Sequence, residues 1–207
     1  MTRRPIKTRN ATIALKITQW LANNGVLPDY ISIASMVAAA LAGMSFYLSA
    51  MLSPMWQIVF LLLAATLCQA RLLCNLFDGM LATEGGKGSR AGAVWNEFPD
   101  RVADVFILVG VGLAVDSVSL GWAAASMAVL TAYVRELGSH VSGVTDFSGP
   151  MAKPHRMAVV TVAALFTVVE SQWTDGRLLL QLALWVVTLG AILTSVMRIR
   201  SLLQRLR

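Results

Sequence analysis

Residues Asn75 to Asp100 read NLFDGMLATEGGKGSRAGAVWNEFPD, and we interpret the rest of the chain as arranged around them. This stretch joins two apolar segments through a glycine-rich loop and places amides and carboxylates on both sides of that loop. Asn75 and Asp78 are three residues apart, while Asn96, Asp100 and Asp104 follow at intervals of four, so each set shares one helix face. Carboxylates at membrane depth are costly unless they are paired, hydrated or metal-bound. We therefore interpret the two faces as the walls of a functional pocket; a solvated loop with a helix cap is the alternative.

The composition predicts an all-α polytopic membrane protein. The chain has 207 residues, 57% hydrophobic and 14% charged, and its mean hydropathy is +0.66. A formal charge of +6 would favour nucleic acid in a soluble protein, but here the basic residues lie between and around apolar blocks. Orientation in a bilayer explains them, and we expect no nucleic-acid partner. Cys68 and Cys74 have no partner cluster, so we predict small core residues and not a disulfide or metal site.

The apolar pattern divides one membrane domain, residues 1–207, into an N-terminal segment, residues 1–28, and a transmembrane bundle, residues 29–207. Apolar and polar residues alternate at helical spacing over Ala11–Asn23, which predicts an amphipathic juxtamembrane helix with Trp20 at the interface. An ordinary helix on the soluble side is the alternative. About six transmembrane helices are predicted, at Tyr30–Met51, Met55–Asn75, Gly92–Val115, Ser119–Val134, Met157–Val169 and Leu178–Met197.

The distribution of basic residues predicts the orientation of this bundle. Of the 17 Lys and Arg residues, only Arg177 falls on one side of the predicted spans, and all the others fall on the opposite side. Because the basic side of a membrane protein faces the cytoplasm, we expect both termini and the Asn75 to Asp100 loop to be cytoplasmic. The expected location is the bacterial inner membrane, with multiple passes.

The spacing of the polar residues is that of a known motif. The chain reads Asn75-x2-Asp78-Gly79-x2-Ala82-Thr83-x8-Gly92-x3-Asn96-x3-Asp100. This resembles, in every interval, the signature of the CDP-alcohol phosphotransferase family, Asp-x2-Asp-Gly-x2-Ala-Arg-x8-Gly-x3-Asp-x3-Asp. The chain departs from it at Asn75 and Asn96, where the family has its first and third aspartates, and at Thr83, where it has arginine. The likeness in hydropathy and topology covers nearly the whole chain.

This resemblance implies an enzyme that transfers a phosphatidyl group from CDP-diacylglycerol to a small alcohol, with glycerol 3-phosphate as one candidate, and releases CMP. It also implies a homodimer and a bound Mg²⁺ or Mn²⁺. The metal would be held at Asn75, Asp78, Asn96 and Asp100, with Asp78 as the chief charged ligand and Asp100 also as general base. Nucleotide contacts are implied for the signature positions Gly79, Ala82, Thr83 and Gly92. Two amides in place of carboxylates remove two negative charges, so we expect weaker metal binding.

Two further carboxylates near the motif are candidates to replace the two negative charges that the metal site lacks. Glu97 is adjacent to Asn96, and Asp104 lies one turn beyond Asp100. The alternatives are an acid favoured by the helix dipole for Glu97, and an ion pair with Arg71 or Arg101 for Asp104.

The loop between the two helices offers a further basic residue. Its glycines resemble a phosphate cradle, but they lack the spacing of a P-loop, and a flexible loop explains them equally well. Within this loop, Arg90 is a candidate to supply the charge that Thr83 lacks, and we assign it to the nucleotide.

A second constellation lies in the sequence SGPMAKPHRMA. Its Lys153 and Arg156 are similar to the basic turn that holds the acceptor's phosphate in family members that use phosphorylated acceptors. Anchoring against anionic lipid is the alternative. Arg135 belongs either to the same acceptor pocket or to an ion pair with Glu136. For the whole chain, the rival hypotheses are a catalytically impaired family member that binds CDP-lipid or a partner protein, and a small ion-coupled transporter.

Overall fold

The structure is a computed structural model that describes residues 12–83, 91–174 and 177–206, except for the side chains of Ala93 and Asn96. Within these ranges the chain forms seven helices and no strand, which confirms the all-α prediction. The helices are α1 (Thr12–Asn23), α2 (Pro28–Met51), α3 (Pro54–Thr83), α4 (Gly92–Ala114), α5 (Val118–Ser142), α6 (Lys153–Glu170) and α7 (Leu178–Arg205).

Four of these described helices, α2, α3, α5 and α7, are long and apolar enough to cross a membrane. About six spans were predicted, and α4 and α6 are the two that fall short. The first half of α4 carries the charged residues from Glu97 to Asp104, and α6 has only 18 residues with charges at both ends. The chain is therefore an integral membrane protein in which α4 and α6 carry much of the charge.

Prolines and glycines set several helix ends. Pro28, Pro54 and Pro154 lie in the first turns of α2, α3 and α6, where the missing N–H would have no partner within the helix. Gly143 ends α5 with a φ of 71°, a left-handed conformation that glycine adopts without strain. Within α4, Pro99 has no N–H to donate to the carbonyl of Trp95, so the helical ladder is interrupted just before Asp100.

The six helices after α1 close into a ring. Helix α2 packs against α3 and α4, α5 packs against α4 and α7, and α6 packs against α7 and α3. Successive helices alternate in direction, so the start of α4, the start of α6 and the end of α3 meet at one end of the bundle. We call this the site end. Helix α1 lies there too, because the Thr18 hydroxyl contacts Met80 near the end of α3 at 3.8 Å.

Glycine pairs bring α4 into backbone contact with its two neighbours. A methyl group added to Gly110 would lie 2.4 Å from the Cα atom of Gly43 in α2, and one added to Gly112 would lie 2.7 Å from that of Gly121 in α5. Both distances are far below a normal contact between carbon atoms. Small residues are typical of such close helix crossings in membranes, because they allow the backbones to approach.

At the opposite end, one arginine joins three helices. Arg177, the residue before α7, donates to the carbonyls of Ser49 and Ala50 at the end of α2 and of Ala114 at the end of α4, over 3.2 to 3.4 Å. The last carbonyls of a helix have no partner within the helix and carry its negative dipole end. A single half-buried guanidinium therefore contacts the last carbonyls of two helices.

Several helices extend beyond the predicted apolar spans. Helix α3 continues past Asn75 to Thr83, α5 continues past Val134 to Ser142, and α7 continues past Met197 to Arg205. The spans were predicted from hydropathy, which follows the thickness of the bilayer and not the length of the helix. The predicted N-terminal helix is present as α1, with its apolar residues Ile13 and Trp20 exposed. Cys68 and Cys74 are both free cysteines; Cys68 is buried in the core as predicted, whereas Cys74 is only half-buried.

Candidate active site

The candidate site is a set of charged side chains at the site end, contributed by α3, α4 and α6, with one serine from α2. The final turns of α3 carry Asn75 and Asp78 on one face. The first half of α4 carries Asp100 and Asp104, and the first turn of α6 carries Lys153 and Arg156. Residues far apart in sequence are thereby brought together.

Asp78 is 5% exposed and has one satisfied oxygen. Its Oδ2 accepts a hydrogen bond from the Ser32 hydroxyl in α2, at 2.8 Å. Its Oδ1 is buried and has no hydrogen-bond partner in the part of the chain that the structure describes. Because an unpaired carboxylate oxygen is costly to bury, this atom is the strongest indication of a position suited to a cation.

Asp100 accepts contacts on both oxygens. Its Oδ1 accepts from the Asn75 side-chain amide at 2.6 Å and from Arg71 at 3.4 Å. Its Oδ2 accepts from the Lys153 ammonium and lies 4.0 Å from the guanidinium of Arg101. The resemblance assigns Lys153 to binding of the acceptor. In the structure its ammonium contacts Asp100, the residue that the resemblance makes the general base.

Asp104 lies behind Asp100 in a buried ionic network. It is completely buried, and its two oxygens accept from Arg71 at 3.0 Å and from Arg156 at 2.6 Å. Arg71 also donates to the backbone carbonyl of Asp100 at 3.3 Å, while Arg156 donates to that of Met151 at 2.9 Å. For Asp104 the sequence left two roles open, a metal ligand or an ion pair with Arg71 or Arg101, and the structure shows the ion pair with Arg71. The network fixes α3, α4 and α6 around Asp100.

Glu97 belongs to a second ionic cluster on the outer side of α4. Its carboxylate accepts from Arg101, one turn away, and from Arg135 of α5 at 2.5 Å. Arg135 also pairs with Glu136 at 2.9 Å. The structure thus engages Glu97 with two guanidiniums, and it engages Arg135 with two carboxylates.

The remaining signature positions are partly described. Gly79 and Ala82 are half-buried on the last turns of α3, and Gly92 is the first residue of α4. The Thr83 hydroxyl donates to the carbonyl of Gly79 in its own helix at 2.9 Å. Arg90 and the side chain of Asn96 lie outside the described residues. Among the described residues, no group of three His, Cys, Asp or Glu side chains converges as a metal site.

Ser32 was not identified from the sequence. A serine in an uncharged apolar span gives little signal, because its hydroxyl commonly bonds to its own helix. The one available hint was that Ser32 and Ser35 lie three residues apart near the start of the span, on one helix face. The contact between Lys153 and Asp100 joins residues 53 positions apart and also had no local signal.

Comparison with known proteins gives relatives that span nearly the whole chain. No protein-family model matches the sequence. The chain is 29% identical to the inner membrane protein YnbA of Escherichia coli K12 over 186 residues, which cover 89% of this chain and 88% of YnbA. It is 24% identical to the phosphatidylinositol phosphate synthase of Mycolicibacterium smegmatis, over 95% of this chain and 87% of that enzyme.

The fold is shared with a solved enzyme. The crystal structure of Mycobacterium tuberculosis phosphatidylinositol phosphate synthase PgsA1 with CDP-DAG bound matches with a TM-score of 0.72 at 22% identity, over 93% of this chain and 94% of that one. The structure of the same enzyme with manganese and citrate matches with a TM-score of 0.72 at 21% identity, over 91% and 88% of the two chains. This likeness shows that the ring of helices described above is the fold of that synthase.

Proposed function

We propose that this chain is a CDP-alcohol phosphotransferase, which moves the phosphatidyl group of CDP-diacylglycerol to a small alcohol and releases CMP. The observation that carries the proposal is the position of Asp78 and Asp100. The two signature aspartates that the chain retains lie close together at the site end, on the last turns of α3 and the first half of α4, and Asn75 links the two helices through its contact with Asp100. The shared fold with a synthase crystallised with CDP-DAG supports the proposal.

A divalent cation fits the residues around Asp78. The buried Oδ1 of Asp78 lacks a hydrogen-bond partner among the described residues, and carboxylate and amide oxygens are the ligands that Mg²⁺ and Mn²⁺ prefer. We assign Asp78 as the charged ligand and the side-chain carbonyl oxygens of Asn75 and Asn96 as neutral ones. When bound, the ion would neutralise the pyrophosphate of the donor.

Asp100 is the proposed general base, which would take the proton of the acceptor hydroxyl as that oxygen attacks the phosphorus. Arg71 and Asn75 both contact its Oδ1 and hold the carboxylate in one orientation. Its Oδ2 then remains for the proton once Lys153 moves away. A phosphate on the acceptor would draw the Lys153 ammonium toward itself and so release the base.

The proposed acceptor is a phosphorylated alcohol. Glycerol 3-phosphate is of this class, and relatives named phosphatidylinositol phosphate synthases point to a phosphorylated polyol. Lys153 is the basic residue best placed to contact it, because its side chain is 25% exposed, whereas that of Arg156 is 3% exposed. We assign Arg156 to positioning through Asp104, and Arg135 to the rim of the acceptor pocket.

The topology proposed with this function is one membrane domain with its site end in the cytoplasm, acting as a homodimer. The described chain begins and ends at the site end, in α1 and at the end of α7, and Arg177 lies at the opposite end. Both features fit the asymmetry of basic residues in the sequence.

The test is a screen of the purified protein with CDP-diacylglycerol and Mn²⁺ against a panel of alcohols and their phosphates, with CMP release and lipid product as readouts. We expect turnover with at least one phosphorylated alcohol and none with the Asp100→Asn variant. Binding of CDP-diacylglycerol without turnover across the panel would instead favour a lipid-binding protein that has lost transferase activity. Two observations favour this second function. Both oxygens of Asp100 accept contacts, and an amide stands at position 75.

A further inference from the structure

The side chains of the candidate site balance one another electrically. At the site end, three carboxylates are in contact with, or close to, three cations, and these interactions link them into one group. The members are Asp78, Asp100 and Asp104 on one side and Arg71, Lys153 and Arg156 on the other. The outer cluster of Glu97, Glu136, Arg101 and Arg135 is balanced as well. The described part of the site therefore has no excess negative charge.

Asn75 is the residue that makes this balance possible. Its amide donates to Asp100 Oδ1 at 2.6 Å, a contact that an aspartate in its place would replace with repulsion between two carboxylates. The cation that would relieve such repulsion is already supplied here by Lys153 on the other oxygen. The ammonium thus places a positive charge beside Asp100, close to the proposed cation position at Asp78.

A divalent ion entering a buried and balanced site adds two uncompensated positive charges, which a low-dielectric environment penalises. The pyrophosphate of a CDP-lipid carries the opposite charge and cancels them. We propose that this chain takes up a divalent cation at Asp78 only together with the pyrophosphate of a CDP-linked lipid, and that Lys153 and Asn75 enforce this coupling. The inference rests on the proposed function and specifies how its cofactor is loaded.

The direct test is binding of Mn²⁺ to the purified full chain in detergent, followed by the electron paramagnetic resonance signal of free Mn²⁺. The titration is run with and without CDP-diacylglycerol, and micelles containing that lipid but no protein correct for binding by the lipid itself. We expect CDP-diacylglycerol to lower the Mn²⁺ concentration at half-saturation by about tenfold or more. Mn²⁺ should tighten the binding of CDP-diacylglycerol by the same factor.

Two variants test the residues named. Lys153→Gln removes a positive charge from the site, so it should tighten the binding of Mn²⁺ in the absence of CDP-diacylglycerol by about tenfold. Lys16→Gln makes the same charge change on an exposed residue of α1 and should leave the midpoint unchanged. Asn75→Asp together with Asn96→Asp restores two carboxylates and should make Mn²⁺ binding independent of the nucleotide. The double variant still tests the proposal if Lys153→Gln does not fold.

Equal Mn²⁺ midpoints with and without CDP-diacylglycerol would overturn the coupling while leaving the transferase proposal intact, as long as the lipid itself binds. Failure of CDP-diacylglycerol to bind at any Mn²⁺ concentration would defeat the proposed function and this inference with it. Nucleotide-free binding that responds equally to Lys153→Gln and Lys16→Gln would show that Lys153 does not control the charge of the site.

Discussion

The side-chain amide of Asn75 donates to Oδ1 of Asp100 over 2.6 Å, from the end of α3 to the start of α4. An amide N–H can only donate, so the oxygen that receives it must act as an acceptor. This contact and that of Arg71 hold the Asp100 carboxylate in one orientation, with the other oxygen turned toward Lys153. The amide at position 75 therefore supports Asp100 even though it reduces the charge available to a metal.

Asp100→Asn should abolish transfer and leave the helical bundle intact. The amide keeps the size of the side chain but cannot take a proton, and loss of a general base costs about 10²–10⁴ in rate. CMP release measures this loss, and binding of CDP-diacylglycerol should be largely retained. Turnover near that of the parent protein would show that another group is the base.

Asp78→Ala should remove the response of nucleotide binding to the metal. Asp78 is the retained carboxylate with a buried oxygen that lacks a described partner, so its removal takes away the main charged ligand of the proposed site. The measurement is CDP-diacylglycerol affinity over a range of Mg²⁺ concentrations. Ser32→Ala is the matched control, because it removes the hydrogen bond to Oδ2 and keeps the carboxylate. A variant that responds to Mg²⁺ as the parent does would contradict the assignment.

Lys153→Ala should raise the acceptor KM by about tenfold or more at saturating metal and CDP-lipid, because a charge-assisted contact to phosphate contributes about 1.5–3 kcal/mol. The KM for CDP-lipid should change much less. An acceptor without phosphate should show no such effect, which serves as the internal control. Equal changes in both KM values would end the phosphorylated-acceptor hypothesis.

Arg156→Ala should act mainly on stability. Arg156 is 2% exposed and holds the buried Asp104, and removing one partner of a buried ion pair costs about 3–5 kcal/mol. Thermal unfolding in detergent measures the loss, with exposed Arg200→Ala as the control. Unfolding at the parent temperature together with a raised acceptor KM would place Arg156 in contact with the acceptor.

Arg177→Lys should destabilise the bundle without changing its charge. The planar guanidinium reaches carbonyls of two helices, whereas an ammonium lacks that fork, so we expect a loss of about 1–3 kcal/mol. Thermal unfolding is again the measurement. A variant as stable as the parent would show that water satisfies these helix ends equally well.

Sequence reasoning predicted the all-α bundle because long uncharged runs have few alternatives. It offered an ion pair of Asp104 with Arg71 or Arg101 as the alternative to a metal ligand, and the structure pairs Asp104 with Arg71. It placed Asn75 and Asp78 on one helix face but ended the apolar span at Asn75, because hydropathy follows the thickness of the bilayer and not the length of the helix, which continues to Thr83. The contacts of Ser32 and Lys153 depend on how α2 and α6 pack around α3 and α4, which no local pattern contains.

The contact between Gly43 and Gly110 has a consequence for the chemistry about ten residues away. Helices α2 and α4 run in the same direction from the site end. Their contact at Gly43 and Gly110 therefore fixes the position of Ser32 relative to Asp100 along the bundle axis. At 1.5 Å of rise per residue, the distance is about 15 Å. An alanine at position 110 would force the two helices apart and shift one pocket wall against the other. A random search for inactive variants should therefore recover substitutions at these glycines, in chains that still insert into the membrane and bear an unaltered set of catalytic side chains.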